Sequence, residues 1–219
     1  RKWQNELIKE NYAQTYLRAI HEQLVAILNY AVKFYNLNKN PCSAAGRIGK
    51  KNAGEMNIWT LEEFKLFIEV IKHKKEAVVG FNILFYTGMR VGEMLALTIS
   101  DIDFEKCRIR INKAFQRIKK TDVISTPKTP KSKRTIDCPK FVIDIIQDYI
   151  KVLYKPNPKT RLFEGFTKFK FQNDMNVYSR KANLKKIRVH DLRHSHATFL
   201  LSKGVNIVSL SRRLGHERV

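Results

Sequence analysis

The chain has 219 residues, 43% of them hydrophobic and 28% charged, and 42 lysines and arginines against 20 aspartates and glutamates give a net charge of +22. This composition is typical of a globular protein with a sizeable core, and the excess charge favours a polyanionic partner, nucleic acid before an anionic membrane. Three widely spaced cysteines without a C-x-x-C pair argue against a disulfide framework. The sequence contains no apolar run long enough to span a membrane. We therefore expect a cytoplasmic protein without a membrane partner.

The first predicted element is a long amphipathic helix over residues 11–37, in which apolar residues recur at steps of three and four. Asparagines and a proline end this pattern, and the stretch 43–57 that follows is small, basic and without periodicity. That stretch is predicted to be an inter-domain linker. The sequence therefore predicts a helical domain over residues 1–42 and a second domain over residues 58–219.

The second domain is predicted to be mainly α-helical with a small antiparallel sheet, an α+β fold. Thr60 and Glu63 have the spacing of a capping box at the start of TLEEFKLFIEVI, and a second apolar helix, AVVGFNILFY, follows. Residues 100–137 change to a period of two, which predicts strands in CRIRINKAF, DVIST and KRTIDCP. Helices return at FVIDIIQDYIKVL, near residues 177–184, and twice before the end of the chain.

Positive charge is concentrated on the predicted strands. Residues 106–140 contain twelve lysines and arginines against two aspartates, a net charge of +10. A hairpin with this charge is expected to lie along a phosphate backbone. Six basic residues are the predicted DNA contacts of the linker and the hairpin: Arg47, Lys50, Lys51, Lys131, Lys133 and Arg134.

The motif YTGMRVGEMLAL is the first candidate for chemistry. Its threonine and glycine break one helix and start the next, which places Arg90 in a first turn, where free backbone amides also favour an anion. A guanidinium can hold a phosphate by two parallel hydrogen bonds, and Glu93, one turn further on, could orient it. The alternative for this segment alone is a surface arginine near a helix end.

The motif HDLRHSHAT is the second candidate. His190 and Arg193 are three residues apart on a predicted helix and share a face with His194, whereas His196 points elsewhere. A turn and a short helix then lead through LGH to His216. Two arginines and two histidines on helices of a strongly basic protein suggest a phosphate site.

TGMRVGEMLAL, HDLRHSHAT and LGH, in this order, resemble the motifs of the tyrosine recombinases, the integrases of phages and integrative elements. About 100 residues and a basic hairpin separate the two arginines. The resemblance covers roughly residues 58–219, and the helical segment ahead of the linker resembles the end of that family's core-binding domain. It implies a site-specific recombinase that cuts and rejoins DNA through a 3′-phosphotyrosine intermediate, for integration and excision of a mobile element or phage.

The resemblance also implies roles for individual residues. Arg90 and Arg193 would grip the scissile phosphate, with Glu93 in support. His190 would accept a proton or donate a hydrogen bond to the phosphate, and His216 would contact a non-bridging oxygen. Fixed cations of this kind stabilise the negative charge that develops on a phosphate under attack, so two arginines could replace a metal ion.

The hairpin lysine of the family, which protonates the leaving 5′-oxygen, matches Lys128, with Lys131 and Lys133 close enough in the sequence to be alternatives. A lysine near the leaving oxygen supplies general acid catalysis. A covalent enzyme–phosphate bond conserves the energy of the broken linkage, so no ATP, metal or other cofactor is expected.

The nucleophilic tyrosine of the family follows the LGH histidine by roughly nine residues. The printed sequence ends three residues after His216, and its eight tyrosines all precede the HDLRHSHAT motif. We therefore expect a fragment whose nucleophile lies beyond Val219, which binds but does not cleave DNA. The resemblance further implies as partners double-stranded attachment-site DNA, other copies of the chain in a synaptic tetramer, and an accessory DNA-bending or excision factor. It also implies a nucleoid-associated location.

Three alternatives remain open at this stage. HDLRH mimics the zinc-binding H-E-x-x-H pattern, with Asp191 in place of the glutamate, which would indicate a metal hydrolase. A non-catalytic DNA-binding protein would use the same basic surface. An RNA-binding protein would stack bases on the aromatic rings of LFEGFTKFKF, although these rings are expected to be core: Phe163, Phe166, Phe169 and Phe171.

Overall fold

The computed structural model describes residues 1–51, 57–126 and 133–215. The chain divides into two compact units, Arg1–Met56 and Asn57–Val219. The chain contains many helices and a small antiparallel sheet, which confirms the predicted α+β class. Among the described residues, no helix is long and apolar enough to cross a membrane.

The described part of the first unit, residues 1–51, contains three helices: α1 (Lys2–Lys9), α2 (Gln14–Phe34) and α3 (Cys42–Ala45). The long helix predicted over residues 11–37 is α2, slightly shorter at both ends. The stretch predicted to be a linker begins with α3, and the Lys50 amide donates a hydrogen bond of 3.1 Å to the Gln14 carbonyl at the start of α2. Residues 43–51 of this stretch therefore pack within the first unit.

The helices of the second unit are α4 (Leu61–Ile71), α5 (Lys75–Thr87), α6 (Val91–Ala96), α7 (Lys140–Ile150), α8 (Lys168–Lys181), α9 (Asp191–Ser202) and α10 (Ile207–Leu214). The capping box predicted at the start of α4 is present. The Glu63 amide donates to Thr60 Oγ1 at 3.2 Å, and the Thr60 amide donates to Glu63 Oε2 at 2.7 Å. This pair satisfies two amides that a helix start leaves without partners.

The strands of the second unit are β1 (Ile102–Asp103), β2 (Arg108–Ile111), β3 (Ala114–Ile118), β4 (Thr121–Ser125) and β5 (Arg134–Asp137). An antiparallel sheet has the order β1-β2-β5, and β3 and β4 form a separate hairpin. The hairpin is thus inserted between two neighbouring strands, and β5 returns to the sheet with Arg134 opposite Ile111. This topology brings the first residue of β5 back beside the helical part of the unit.

Helix α5 runs through the middle of the core. Nine of its 13 residues are buried, and aromatic rings from α4 pack on it: Phe64 stacks on Phe85 at 4.0 Å between ring centroids, and Phe67 meets Phe81 edge-on at 4.9 Å. Packing of this kind supplies most of the stability of a core. Because α5 is apolar on all sides, its C-terminal end also lies inside the unit.

Gly88 ends α5 in the left-handed conformation, with φ of +66°. A Cβ atom at this position would lie 2.4 Å from Cδ2 of His196 on α9. Only glycine combines this backbone conformation with so close an approach. The contact seats the end of α5 against the middle of α9, and the segments that carry Arg90 and Arg193 are thereby held side by side.

Helix α8 begins earlier than predicted. The sequence indicated a helix near residues 177–184, but Thr167 caps the helix by accepting a hydrogen bond of 3.3 Å from the Lys170 amide. The alternation of lysine and phenylalanine in KFKF has the period of a strand, which hides the helical pattern.

The phenylalanines around α8 are mostly core residues, as predicted. Those buried or packed against the core are Phe163, Phe166 and Phe171. Phe169, however, is 80% exposed, so its assignment to the core is wrong. Two residues apart on a helix lie on nearly opposite sides, and Phe171 is the residue that faces the core.

Candidate functional site

Arg193 lies at the centre of the candidate site. It is carried by α9, is buried, and donates two hydrogen bonds to backbone carbonyls: Nη1 to Gly88 O at 2.8 Å and Nη2 to Leu214 O at 2.7 Å. The guanidinium thereby joins the ends of α5 and α10 to the start of α9. Among the described residues, no carboxylate forms an ion pair with it.

Burial and the nearby charge of Arg90 lower the pKa of Arg193 to about 10. The guanidinium is therefore still protonated at neutral pH. The positive charges of Arg90 and Arg193 repel one another, and an anion bound between them would relieve that repulsion. The arrangement is suited to a phosphate.

Arg90 immediately precedes α6 and is partly exposed. Its Nη1 donates to Glu93 Oε1 at 3.0 Å, and its amide donates to Glu93 Oε2 at 2.8 Å. The Glu93 carboxylate thus accepts the hydrogen bond from a helix-start amide, the kind of amide that the sequence analysis expected to bind an anion. The same carboxylate holds the Arg90 side chain in one orientation. The carboxylate itself is buried.

Arg134, the first residue of β5, binds the same carboxylate. Its Nη1 and Nη2 donate to Glu93 Oε1 and Oε2 at 3.1 Å and 2.8 Å, and its Nε donates to Arg213 O at 2.9 Å. The side chain is only 8% exposed and its guanidinium is directed inward, so these contacts do not support the direct DNA contact predicted for Arg134. Local sequence spacing carries no signal for this contact, because Glu93 and Arg134 are 41 residues apart.

Burial raises the pKa of the Glu93 carboxyl, but hydrogen bonds and charge from Arg134 and Arg90 outweigh burial and hold the pKa below its ordinary value. Glu93 is therefore ionised at neutral pH. One buried carboxylate is shared between two guanidinium groups, which leaves net positive charge at this side of the site.

His190 immediately precedes α9 and is exposed. Partial desolvation of its ring, together with the charges of His194 and Arg193, lowers the pKa of His190 below its ordinary value. The ring lies edge-on to that of His194, with 5.5 Å between centroids. A neutral imidazole at this position can accept a proton at neutral pH.

Arg188 and Asp191 form a contact that sequence reasoning missed. The Arg188 amide and its Nη2 donate to Asp191 Oδ2 and Oδ1, each at 2.8 Å. Burial opposes ionisation of Asp191, but the hydrogen bonds from Arg188 outweigh it and lower the pKa of the carboxyl. The sequence carried one signal for this contact: Arg188 and Asp191 are three residues apart, which is the spacing of a capping box at a helix start.

His196 and Arg213 were also not assigned a role from the sequence. His196 is buried, and its Nε2 accepts a hydrogen bond of 3.2 Å from Arg213 Nε. Burial and the charge of Arg213 lower the pKa of His196 to about 4, so the ring is neutral at pH 7. Arg213 also donates to Tyr86 O and Asp137 O, which ties α10 to α5 and β5.

The remaining predicted residues are only partly described. Lys128, Lys131 and His216 lie outside the described residues. The other predicted DNA contacts are exposed, as phosphate contacts must be: Arg47, Lys50, Lys51 and Lys133. His190 and His194 face one another, but no third histidine, cysteine or carboxylate among the described residues completes a metal-binding group with them.

The chain matches a known family over most of its length. The model of the phage integrase family matches residues 60–219. The ICEBs1 integrase of Bacillus subtilis (strain 168) is 28% identical over 230 residues, covering 99% of this chain and 62% of the relative. A XerC-like tyrosine recombinase of Caldanaerobacter subterraneus subsp. tengcongensis is 27% identical over 249 residues, covering 100% of this chain and 63% of the relative. This chain spans about three fifths of the length of these relatives.

Solved structures show the same fold. The Tn1549 transposon integrase in complex with a circular intermediate DNA has a TM-score of 0.83 at 20% identity, covering 99% of this chain and 76% of that chain. A lambda integrase dimer bound to a core site has a TM-score of 0.66 at 16% identity, covering 98% of this chain and 76% of that chain.

Proposed function

Because this chain belongs to the phage integrase family of tyrosine recombinases, we propose that it is the DNA-gripping part of a site-specific recombinase. The reaction is the cutting and rejoining of DNA through a 3′-phosphotyrosine intermediate, during integration and excision of a mobile element or phage. The observation that supports this most directly is the juxtaposition of Arg193 and Arg90. Arg193 binds the carbonyl of Gly88, two residues before Arg90. Burial and then the charge of Arg90 lower the pKa of Arg193, and a DNA phosphate is the anion that would offset the repulsion between the two arginines.

The proposed reaction is a transesterification. A tyrosine oxygen attacks the scissile phosphorus, the bond from phosphorus to the 5′-oxygen breaks, and the 3′-phosphate becomes joined to the tyrosine. Negative charge grows on the non-bridging oxygens, where Arg90 and Arg193 stabilise it by charge-assisted hydrogen bonds. The neutral ring of His190 accepts the tyrosine proton or donates to the phosphate.

Two further groups enter this proposal through the family resemblance. Lys128, or one of the neighbouring lysines Lys131 and Lys133, protonates the leaving 5′-oxygen, and His216 contacts a non-bridging oxygen. The nucleophile is expected after His216, at the family's position. The phosphotyrosine bond conserves the energy of the broken linkage, and the reverse attack by a 5′-hydroxyl rejoins the strand without ATP.

The proposed partner is double-stranded attachment-site DNA. The Tn1549 and lambda integrases of similar fold were solved with DNA, and the exposed basic residues of this chain suit a phosphate backbone. We further propose a tetramer in synapsis, an accessory DNA-bending or excision factor, and a nucleoid-associated location. These features follow from the family and not from contacts within this chain.

The test is formation of a covalent protein–DNA adduct. The protein, extended in its own reading frame past Val219, is incubated in EDTA with a nicked duplex that carries its attachment site. We expect a covalent band that disappears when the tyrosine after His216 is replaced by phenylalanine. Strong, salt-sensitive binding without an adduct would instead indicate a non-catalytic DNA-binding protein. Stoichiometric zinc, measured in the purified protein before EDTA is added, would indicate a metal hydrolase.

A further inference from the structure

Arg134 connects parts of the site that are distant in sequence. It is the first residue of β5, and its guanidinium donates to both oxygens of the Glu93 carboxylate. A planar fork of this kind fixes the direction as well as the distance of its partner. Glu93 in turn holds Arg90 through both the backbone amide and the guanidinium. Arg134 thus acts on Arg90 through one shared carboxylate.

The same guanidinium contacts the C-terminal end of α10. Its Nε donates to Arg213 O at 2.9 Å, and a Cβ added to Gly215 would lie 3.2 Å from Arg134 Nη1. Gly215 ends α10 in the left-handed conformation, and His216 is the next residue in the sequence. The backbone of α10 is therefore seated directly on Arg134 at the point where the chain continues to the proposed catalytic histidine.

The sharing of Glu93 also sets the charge that Arg90 offers to a phosphate. With Arg134 in place, two guanidinium groups divide one carboxylate. Without Arg134, the Glu93 carboxylate would pair with Arg90 alone and neutralise it. An arginine with its charge cancelled by a buried carboxylate is a weaker partner for the transition state.

We propose that Arg134 is a positioning residue for strand cleavage, which orients Arg90 through Glu93 and holds the end of α10 against them without contacting DNA. This inference rests on the proposed function. It replaces the direct phosphate contact that the sequence predicted for Arg134.

The experiment compares Arg134→Ala, Arg134→Lys and a control, Arg108→Ala, in the protein extended past Val219. Arg108 is on the neighbouring strand β2, is 52% exposed on its side chain, and pairs with Asp137 at 2.8 Å. The control removes one positive charge from the same sheet but keeps the hydrogen bonds between Arg134 and Glu93. Single-turnover cleavage of the nicked duplex, equilibrium DNA binding and the melting temperature are measured for each variant, with and without added guanidinium chloride at millimolar concentration.

We expect Arg134→Ala to cleave about 100-fold more slowly, because a transition-state contact is misplaced, while its affinity for DNA stays within about threefold. Arg134→Lys is expected to lose about tenfold, since an ammonium retains the charge but not the fork. Added guanidinium is expected to restore cleavage by Arg134→Ala at least about tenfold, because the ion can refill the slot beside Glu93. The control is expected to cleave within about twofold of the wild type.

Two results would overturn the inference. One is cleavage by Arg134→Ala, or by Arg134→Lys where the alanine variant does not fold, within about threefold of the wild type. The other is an equal loss of binding and cleavage that guanidinium does not reverse, which would make Arg134 a purely structural residue. A wild-type protein that forms no adduct would instead contradict the proposed function, and the inference about Arg134 would fall with it.

Discussion

Two turns of this protein are built in the same way and differ in what surrounds them. In each, an arginine donates its own amide and its guanidinium to a carboxylate three residues later: Arg90 to Glu93 before α6, and Arg188 to Asp191 at the start of α9. In both turns the hydrogen bond from the arginine amide to the carboxylate measures 2.8 Å, and both carboxylates are buried. As local devices, the two turns are equivalent.

Their surroundings are not equivalent. Glu93 also receives the fork of Arg134, so that its turn is tied to β5 and to the end of α10. Arg188 is 73% exposed on its side chain, against 44% for Arg90. Arg134, from a strand distant in sequence, thus joins the Arg90–Glu93 turn to β5 and α10, and we call this contact the junction at Glu93. The other turn, in contrast, holds the exposed guanidinium of Arg188 in one orientation. Local motif and tertiary role are therefore separate properties.

The largest effect is expected at Arg193, which follows Asp191 by two residues and binds the carbonyl of Gly88, two residues before Arg90. Arg193→Ala removes a cation that neither turn can replace, so cleavage should fall by about a thousandfold or more, while DNA affinity stays within about tenfold. Single-turnover cleavage and binding assays on the protein extended past Val219 measure both quantities. An equal loss of binding and cleavage would show that Arg193 is a general DNA anchor.

The next effect separates the two turns by stability. Glu93→Gln leaves Arg134 buried without its carboxylate and is expected to lower the free energy of unfolding by about 3 kcal/mol or more. Asp191→Asn is expected to lower it by about 1 kcal/mol or less, because its partner Arg188 is mostly exposed and screened by water. Urea unfolding of the two variants provides the comparison. Equal losses would mean that the contact with Arg134 adds no stability.

A smaller effect is expected from pH. The pKa values of Glu93 and Asp191 are lowered in the folded protein, whereas in the unfolded chain they lie at about 4.3 and 3.9. Their stabilisation is complete above those unfolded values and is lost as the pH falls through the folded ones. The difference in free energy of unfolding between wild type and Glu93→Gln should therefore shrink as the pH falls below about 5. Parallel pH profiles would contradict the ionised state of Glu93.

The smallest effect is expected at Arg188. Asp191 holds its guanidinium in place while most of the side chain stays exposed, which is a favourable state for a phosphate contact. Arg188→Ala should weaken DNA binding uniformly across sequences and reduce the slope of log affinity against log salt by about 1. Titrations at several salt concentrations measure this slope. An unchanged slope would place Arg188 away from the DNA backbone.

Local features were predictable from the sequence for a clear physical reason. The capping box of α4 depends on two side chains three residues apart, and the strands follow from a period of two, so both signals lie within a few residues. The start of α8 was missed because KFKF imitates a strand. The division of CRIRINKAF into β2 and β3 was likewise not visible from its alternation.

The candidate site was predictable only as a set of motifs. Spacing identified Arg90 and Glu93 as partners, since they share one turn. It could not show that Arg193 binds two backbone carbonyls, or that Arg134 turns inward, because these contacts join segments that only the fold brings together. The roles of Lys128 and His216 stay predictions.

The backbone acceptors of Arg193 have a consequence for protein engineering. A carbonyl is present whichever amino acid occupies position 214, so a library that replaces Leu214 by other apolar residues retains the acceptor and samples only the packing around it. The junction at Glu93 has no such redundancy, because one codon change removes both of its arginine contacts. Directed evolution toward new DNA targets should therefore hold positions 93 and 134 constant and direct its diversity elsewhere.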